Sequence, residues 1–341
     1  MIQSNFLGNL ELISRLKRDV EDRKTPHAII IQGTYGSGKH TIARLIAMML
    51  ACESSPEVCC ECPSCRKILS NNSPDVITAG PTDGRVQIGV DIIRFIRSDV
   101  YIKPNDYTHK VYIVESADKM THEAQNAFLK VLEEPPSYAV FILLCESADS
   151  LLVTVKSRAT IYNTERFDTD TVKDYLLKNS DDAVKLNSTN PDAFTLAIAA
   201  SSGSVGKAIE NIRSDVAEKN FLLYSSCLEL LMMLKRRCSS FDLLCHLSEI
   251  DQSKVGADEY MLMLESALSD LMSYKLSNHY ECQFFLNEND IEYLASSLTS
   301  TFLLEVSKLL ESFRYSLLSN VSVQTAITAL ASELYLLRSK Y

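Results

Sequence analysis

The sequence predicts an α/β domain built on a parallel sheet, followed by a C-terminal half made of helices. Three observations predict it. Apolar strand-like runs alternate with helical stretches from residue 27 to 162, a glycine-rich loop joins the first strand to the first helix, and strand patterning stops after about residue 166. Continuous Ile/Val/Leu strands separated by helices imply a parallel sheet covered on both faces.

The expected strands are HAIIIQ (27–32), DVITAG (75–80), KVYIVES (110–116), AVFILLCES (139–147) and a shorter ATIYN (159–163). Between them, 41–52, 90–101 and 122–134 carry helical spacing. In the last, Ala124, Ala127, Phe128, Val131 and Leu132 share one face, and Pro135 and Pro136 stop the helix. Residues 168–212 read as short helices broken by polar turns, and 214–341 as long helices without proline. The expected domains are 1–165, 166–212 and 213–341.

A length of 341 residues suits two or three domains, and 46% apolar with 23% charged residues suits a globular chain with ample core. No run approaches the roughly 18 apolar residues of a membrane span, and the start, MIQSNFLGNLELISRLKRD, lacks a signal-peptide pattern. A cytoplasmic protein without membrane contact is expected. The net charge of −10 argues against a surface that grips a phosphate backbone by itself.

The glycine-rich loop is GTYGSGKHT. A strand runs into Gly33, Gly36, Gly38 and Lys39 and then into a helix, the context in which backbone amides at a helix N-terminus cradle phosphates. The residue after the lysine is His40, where a Ser or Thr hydroxyl would hold magnesium; Thr41 lies one position late. The strand KVYIVES ends in Glu115-Ser116, where phosphate-loop ATPases carry adjacent acids for magnesium and for the attacking water. Glu115 can still reach a magnesium shell, but Ser116 cannot act as a general base near neutral pH. The sequence therefore keeps a phosphate loop compatible with ATP or ADP binding and argues against hydrolysis.

Of ten cysteines, five crowd into CESSPEVCCECPSC, residues 52–65. Cys59, Cys62 and Cys65 have Cys-x-x-Cys-x-x-Cys spacing and Cys52 adds a fourth thiolate, with Cys60 as the alternative to Cys59. Four thiolates suit a closed tetrahedral, structural zinc site. Arg158, in TVKSRAT, reads from spacing alone as an ordinary surface residue. Leu223, Cys227, Leu230, Leu231 and Leu234 form an apolar stripe that fits either a partner or an internal core.

Together RKTPHAIIIQGTYGSGKHT, the cysteine module, NNSPDV, KVYIVESADKM, NAFLKVLEEPP and SRA resemble the bacterial DNA polymerase III clamp loader subunits of the AAA+ family. NAFLKVLEEPP is the most specific of these. The resemblance is strong over residues 1–165, fair to about 212 and weak beyond. It implies an AAA+ domain with an inserted zinc module, a small helical lid and an all-α collar for oligomerisation. Two kinds of subunit share the motifs, the gamma/tau ATPase motor and the delta-prime relative with a damaged ATP site. His40, Glu115-Ser116 and Gly206, which stands where the motor has its sensor arginine, bring the chain nearest to the delta-prime type.

The resemblance further implies a subunit of the polymerase holoenzyme without activity of its own, the nucleotidyl transfer belonging to the complex. Its implied partners are gamma/tau and delta subunits, the sliding clamp and, through the complex, primed DNA. Arg158 becomes an arginine finger for a neighbour's ATP site; Ala159 replaces the family's cysteine. Two alternatives carry other expectations. An active gamma/tau-like ATPase would use Thr41 in place of the missing hydroxyl. A nucleotide kinase with a zinc module would have no use for the LEEPP and SRA segments.

Overall fold

The computed structural model describes residues 8–81, 87–276, 282–319 and 321–340. It divides into two compact units, one running through Phe167 with Ser204–Lys207, the other comprising Asp168–Gly203 and the chain from Ala208 onward. The first seven residues, part of the start segment read above, lie outside the described residues.

The first unit contains, in order, α1 (Leu10–Glu21), β1 (Ala28–Gln32), α2 (Lys39–Ala51), α3 (Pro63–Leu69), β2 (Val76–Ala79), α4 (Val90–Asp99), β3 (Lys110–Val114), α5 (His122–Glu133), β4 (Ala139–Cys145), α6 (Val153–Lys156) and β5 (Thr160–Asn163). All five strands are parallel in the order β2-β3-β4-β1-β5, with Ile30 level with Leu143 and Ile161, and Tyr112 level with Phe141. The glycine loop lies at the C-terminal end of β1. Alternation divides each inner strand between two cores. Ile29, Ile31, Ile113 and Ile142 pack under α1, α2 and α3, while Ile30, Tyr112, Phe141 and Leu143 pack under α4 and α5. Burial of these side chains, at roughly 1.5–3 kcal/mol each, is what holds the sheet between its helices.

Each expected strand begins within a residue of its observed start. Polar anchors fix the connections. The buried Asp75 carboxylate accepts from the N–H groups of Asn105, Asp106 and Tyr107 at 2.7, 2.7 and 3.0 Å, holding the turn before β3. Buried Gln125 on α5 accepts from the Leu152 N–H at 2.7 Å and donates to the Ser150 carbonyl at 3.3 Å, which fixes the start of α6.

The second unit is helical: α7 (Thr169–Asn179), α8 (Asp181–Thr189), α9 (Pro191–Ala199), α10 (Val205–Asn211, entering from the first unit), α11 (Ser214–Arg236), α12 (Ser240–Ser248), α13 (Lys254–Leu276), α14 (Glu288–Ala295), α15 (Ser300–Leu318) and α16 (Val323–Lys340). Side-chain oxygens of Asp168, Ser180, Asn190, Ser239 and Thr299 cap α7, α8, α9, α12 and α15. The apolar stripe of α11 faces this unit's own core, with Cys227, Leu230, Leu231 and Leu234 buried and Leu223 packed against them. No helix among the described residues is long and apolar enough to cross a membrane.

Candidate phosphate loop, cysteine cluster and surface arginine

The loop after β1 can turn sharply because Gly36 and Gly38 take φ of 73° and 86°, values in the left-handed region that favours glycine. Lys39 opens α2 and is 8% exposed. Its ammonium donates to the carbonyls of Gly33 at 2.5 Å and Thr34 at 2.9 Å, lying across its own loop. Burial lowers its pKa, against the opposing pull of Glu146, Cys145 and Asp118.

His40 and Glu115, the two positions that would flank a magnesium ion, bind each other: Nδ1 lies 3.1 Å from Oε1. The hydrogen bond from His40 holds the Glu115 pKa below its usual value, with burial opposing and the His40 and Arg44 charges adding to the fall. Magnesium takes oxygen ligands in strict octahedral geometry, and imidazole is not among its preferred donors. The pair does not fit that ion. Ser116 follows at φ 52° and makes no capping bond with its side chain. Thr41 is exposed on α2.

A second segment rests on the loop. The Gly206 N–H donates to the Gly36 carbonyl at 2.9 Å, and Ser204 Oγ donates to the Tyr35 carbonyl at 2.7 Å. A Cβ on Gly206 would stand 2.7 Å from Gly36 Cα and 2.8 Å from its oxygen, so the contact requires glycine.

In the cysteine cluster, the Sγ atoms of Cys52, Cys59, Cys62 and Cys65 lie within 4.8 Å of one another, and Cys60 is outside the set. A zinc–sulfur bond near 2.3 Å would place tetrahedral sulfurs about 3.8 Å apart, and Cys52 and Cys59 are 3.6 Å apart. Backbone N–H groups of Ser54 and Cys59 point at Cys52 Sγ, that of Cys62 at Cys59 Sγ and that of Cys65 at Cys62 Sγ. Burial works to raise the Cys62 pKa, yet donors from Cys65 and Glu53 bring it down to about 6; burial drives Cys65 up instead. The geometry and donor set are compatible with structural zinc. Cys60 takes φ 62° at the turn, its thiol directed to the Val58 carbonyl.

Arg158 follows α6 on the surface. Its guanidinium donates to Glu133 Oε1 at 2.9 Å and to the Thr154 carbonyl at 2.9 Å. Three partners in these arrangements were not singled out by sequence reasoning: Glu133, Gln125 and Ser204. Glu133 lies in NAFLKVLEEPP, whose specificity was the available signal; nothing in the sequence marked Gln125 or Ser204.

Residues 8–168 match the family model described as "DNA polymerase III, delta subunit". Over that stretch, just under half of its length, the chain is similar to DNA polymerase III subunits. Among curated relatives of this chain, the tau subunit of Bacillus subtilis is 34% identical over 164 residues, 48% of this chain and 29% of the relative. Delta-prime subunits align over much more: that of Yersinia pestis is 28% identical over 302 residues, 87% of this chain and 85% of the relative, and that of Haemophilus influenzae 28% over 296 residues, 86% and 85%. The chain thus spans less than a third of the tau subunit but most of each delta-prime subunit. A solved gamma-subunit-related protein of Thermotoga maritima is 19% identical with a TM-score of 0.44, covering 96% of this chain and 99% of its own.

Proposed function

We propose that this chain is a non-hydrolysing clamp loader subunit of delta-prime type. It joins gamma/tau and delta subunits in a hetero-oligomer that loads the sliding clamp onto primed DNA. The observation that carries the reading is the direct His40–Glu115 contact, which ties together the residues at both positions that would flank a magnesium ion. Ser116 removes the base as well, so hydrolysis falls to neighbouring subunits. Delta-prime subunits and a gamma subunit both align over most of their length, so the choice rests on the residues at 40, 115 and 116.

In this reading residues 166–212 act as the lid and 213–341 as the collar. The four-cysteine site holds structural zinc, and Gly33, Gly36, Gly38 and Lys39 are an inherited phosphate loop. Arg158 serves the chemistry next door. A guanidinium inserted beside a neighbour's nucleotide stabilises charge on the transferring phosphoryl group, worth about 10³–10⁵ in turnover where measured. Its half-buried position at the surface, where Glu133 holds the guanidinium, supports that role.

The test is reconstitution with gamma/tau and delta subunits. Arg158→Ala should leave assembly intact, measured by gel filtration, and should remove the neighbouring site's share of DNA-stimulated ATPase. Normal turnover by the mutant complex would refute the finger assignment, and failure of the wild-type chain to assemble would refute the function.

A further inference from the structure

Within the helical unit, α9 and α14 both pack against α11 and leave a groove of about 440 Å³ along it. The floor is apolar. Phe221, Leu228 and Met232 of α11 and Leu286 before α14 line it while remaining only partly buried against the core. Phe221, Leu228 and Met232 follow helical spacing on one face, a stripe about 16 Å long at 1.5 Å per residue. Grooves between i, i+4 ridges accept the ridges of another helix, and methionine adapts to varied side chains.

The rim is acidic. Asp192 in the first turn of α9, Glu229 on α11 and Asp290 in the first turn of α14 converge on this groove from three helices, with Arg236 its only basic lining residue among the described residues. Asp192 and Asp290 make no ion pair among the described residues; Glu229 lies 3.8 Å from His246. The field reaches the floor: burial, then the negative charges of Asp290 and Asp192, push the Tyr224 phenol up to about 12.

We propose that this groove is a docking site for a basic amphipathic helix of a partner protein. The helix would lay apolar residues along the Phe221–Met232 stripe and place Lys or Arg side chains over Asp192, Glu229 and Asp290. Charge complementarity selects this occupant, since an acidic segment or a second copy of a chain with net charge −10 would meet repulsion.

The probe is a fluorescein-labelled synthetic 15-residue amphipathic helix with leucines at helical spacing and lysine flanks, compared with a twin carrying glutamate flanks. Binding to the full chain is followed by fluorescence anisotropy. The lysine peptide should bind at least tenfold tighter than its twin, and Glu229→Lys with Asp290→Lys should invert that preference. Leu228→Glu should abolish binding of both. Equal binding of the two peptides, no binding of either, or a preference untouched by charge inversion would overturn the proposal. So would sedimentation equilibrium showing that the chain dimerises through this face, with Leu228→Glu dissolving the dimer. The charge-inverted variant changes only rim residues, so it decides the matter even if Leu228→Glu fails to fold.

Discussion

At residue 40 a phosphate-loop ATPase presents a small hydroxyl to its metal, whereas this chain presents an imidazole nitrogen already committed to Glu115 at 3.1 Å. Sequence spacing made the missing hydroxyl legible, because only the identity of one residue was needed. That the two positions bind each other was not legible, since the rotamers of His40 and Glu115 depend on how α2 faces the end of β3. The isolated chain should therefore show magnesium-dependent ATPase no higher than a buffer blank in a phosphate-release assay. His40→Thr alone should not restore it, because Ser116 still offers no carboxylate to the attacking water. The pairing also carries a small pH dependence. Glu115 has a depressed folded-state pKa, so its contribution is present above the ordinary carboxylate range and is lost as pH falls through the folded value. Both side chains are more than a third exposed, which limits the contribution to less than about 1 kcal/mol. Urea denaturation of Glu115→Gln against the native chain, at neutral pH and at pH near 3, should show that difference only at neutral pH.

Strands and helices of the first unit could be placed from periodicity because each inner strand is buried on both faces and each helix on one. The cysteine module was legible for a different reason: metal ligation constrains spacing more tightly than packing does. The choice between Cys59 and Cys60 needed the backbone, since the adjacent thiols diverge at the left-handed turn of Cys60. The helix α1 went unread, its apolar residues Leu12, Ile13 and Leu16 being too few to announce it beside a charged face. Two outcomes belong to these elements. Purified protein should carry one zinc per chain by plasma mass spectrometry, and Cys65→Ser should lower that content while Cys60→Ser should not. Stripping the metal should lower the melting temperature, at about 2–4 °C for each kcal/mol of stability lost in a chain somewhat shorter than this one.

For the molecule as a whole, composition excluded more than it assigned. A net charge of −10 leaves little counterion release to drive binding to a polyanion. The isolated chain should not retard primed DNA in a gel-shift assay near 0.1 M salt, whereas the reconstituted complex should, with an affinity that falls steeply as salt rises. The helical unit was foreseen as helical but its core was not, because a stripe such as Leu230, Leu231 and Leu234 looks the same whether it covers itself or a neighbour. The contact between Gly206 and Gly36 bears on how such a chain can change over generations. Residues 40 and 116 already bear side chains, His40 exposed and Ser116 half-buried, and can exchange them singly. Position 206 cannot: any side chain there meets the loop backbone at 2.7 Å, so an arginine would be selected against until the loop itself had moved. A Gly206→Ala chain should therefore melt lower or carry a displaced loop, whatever stands at 40 and 116.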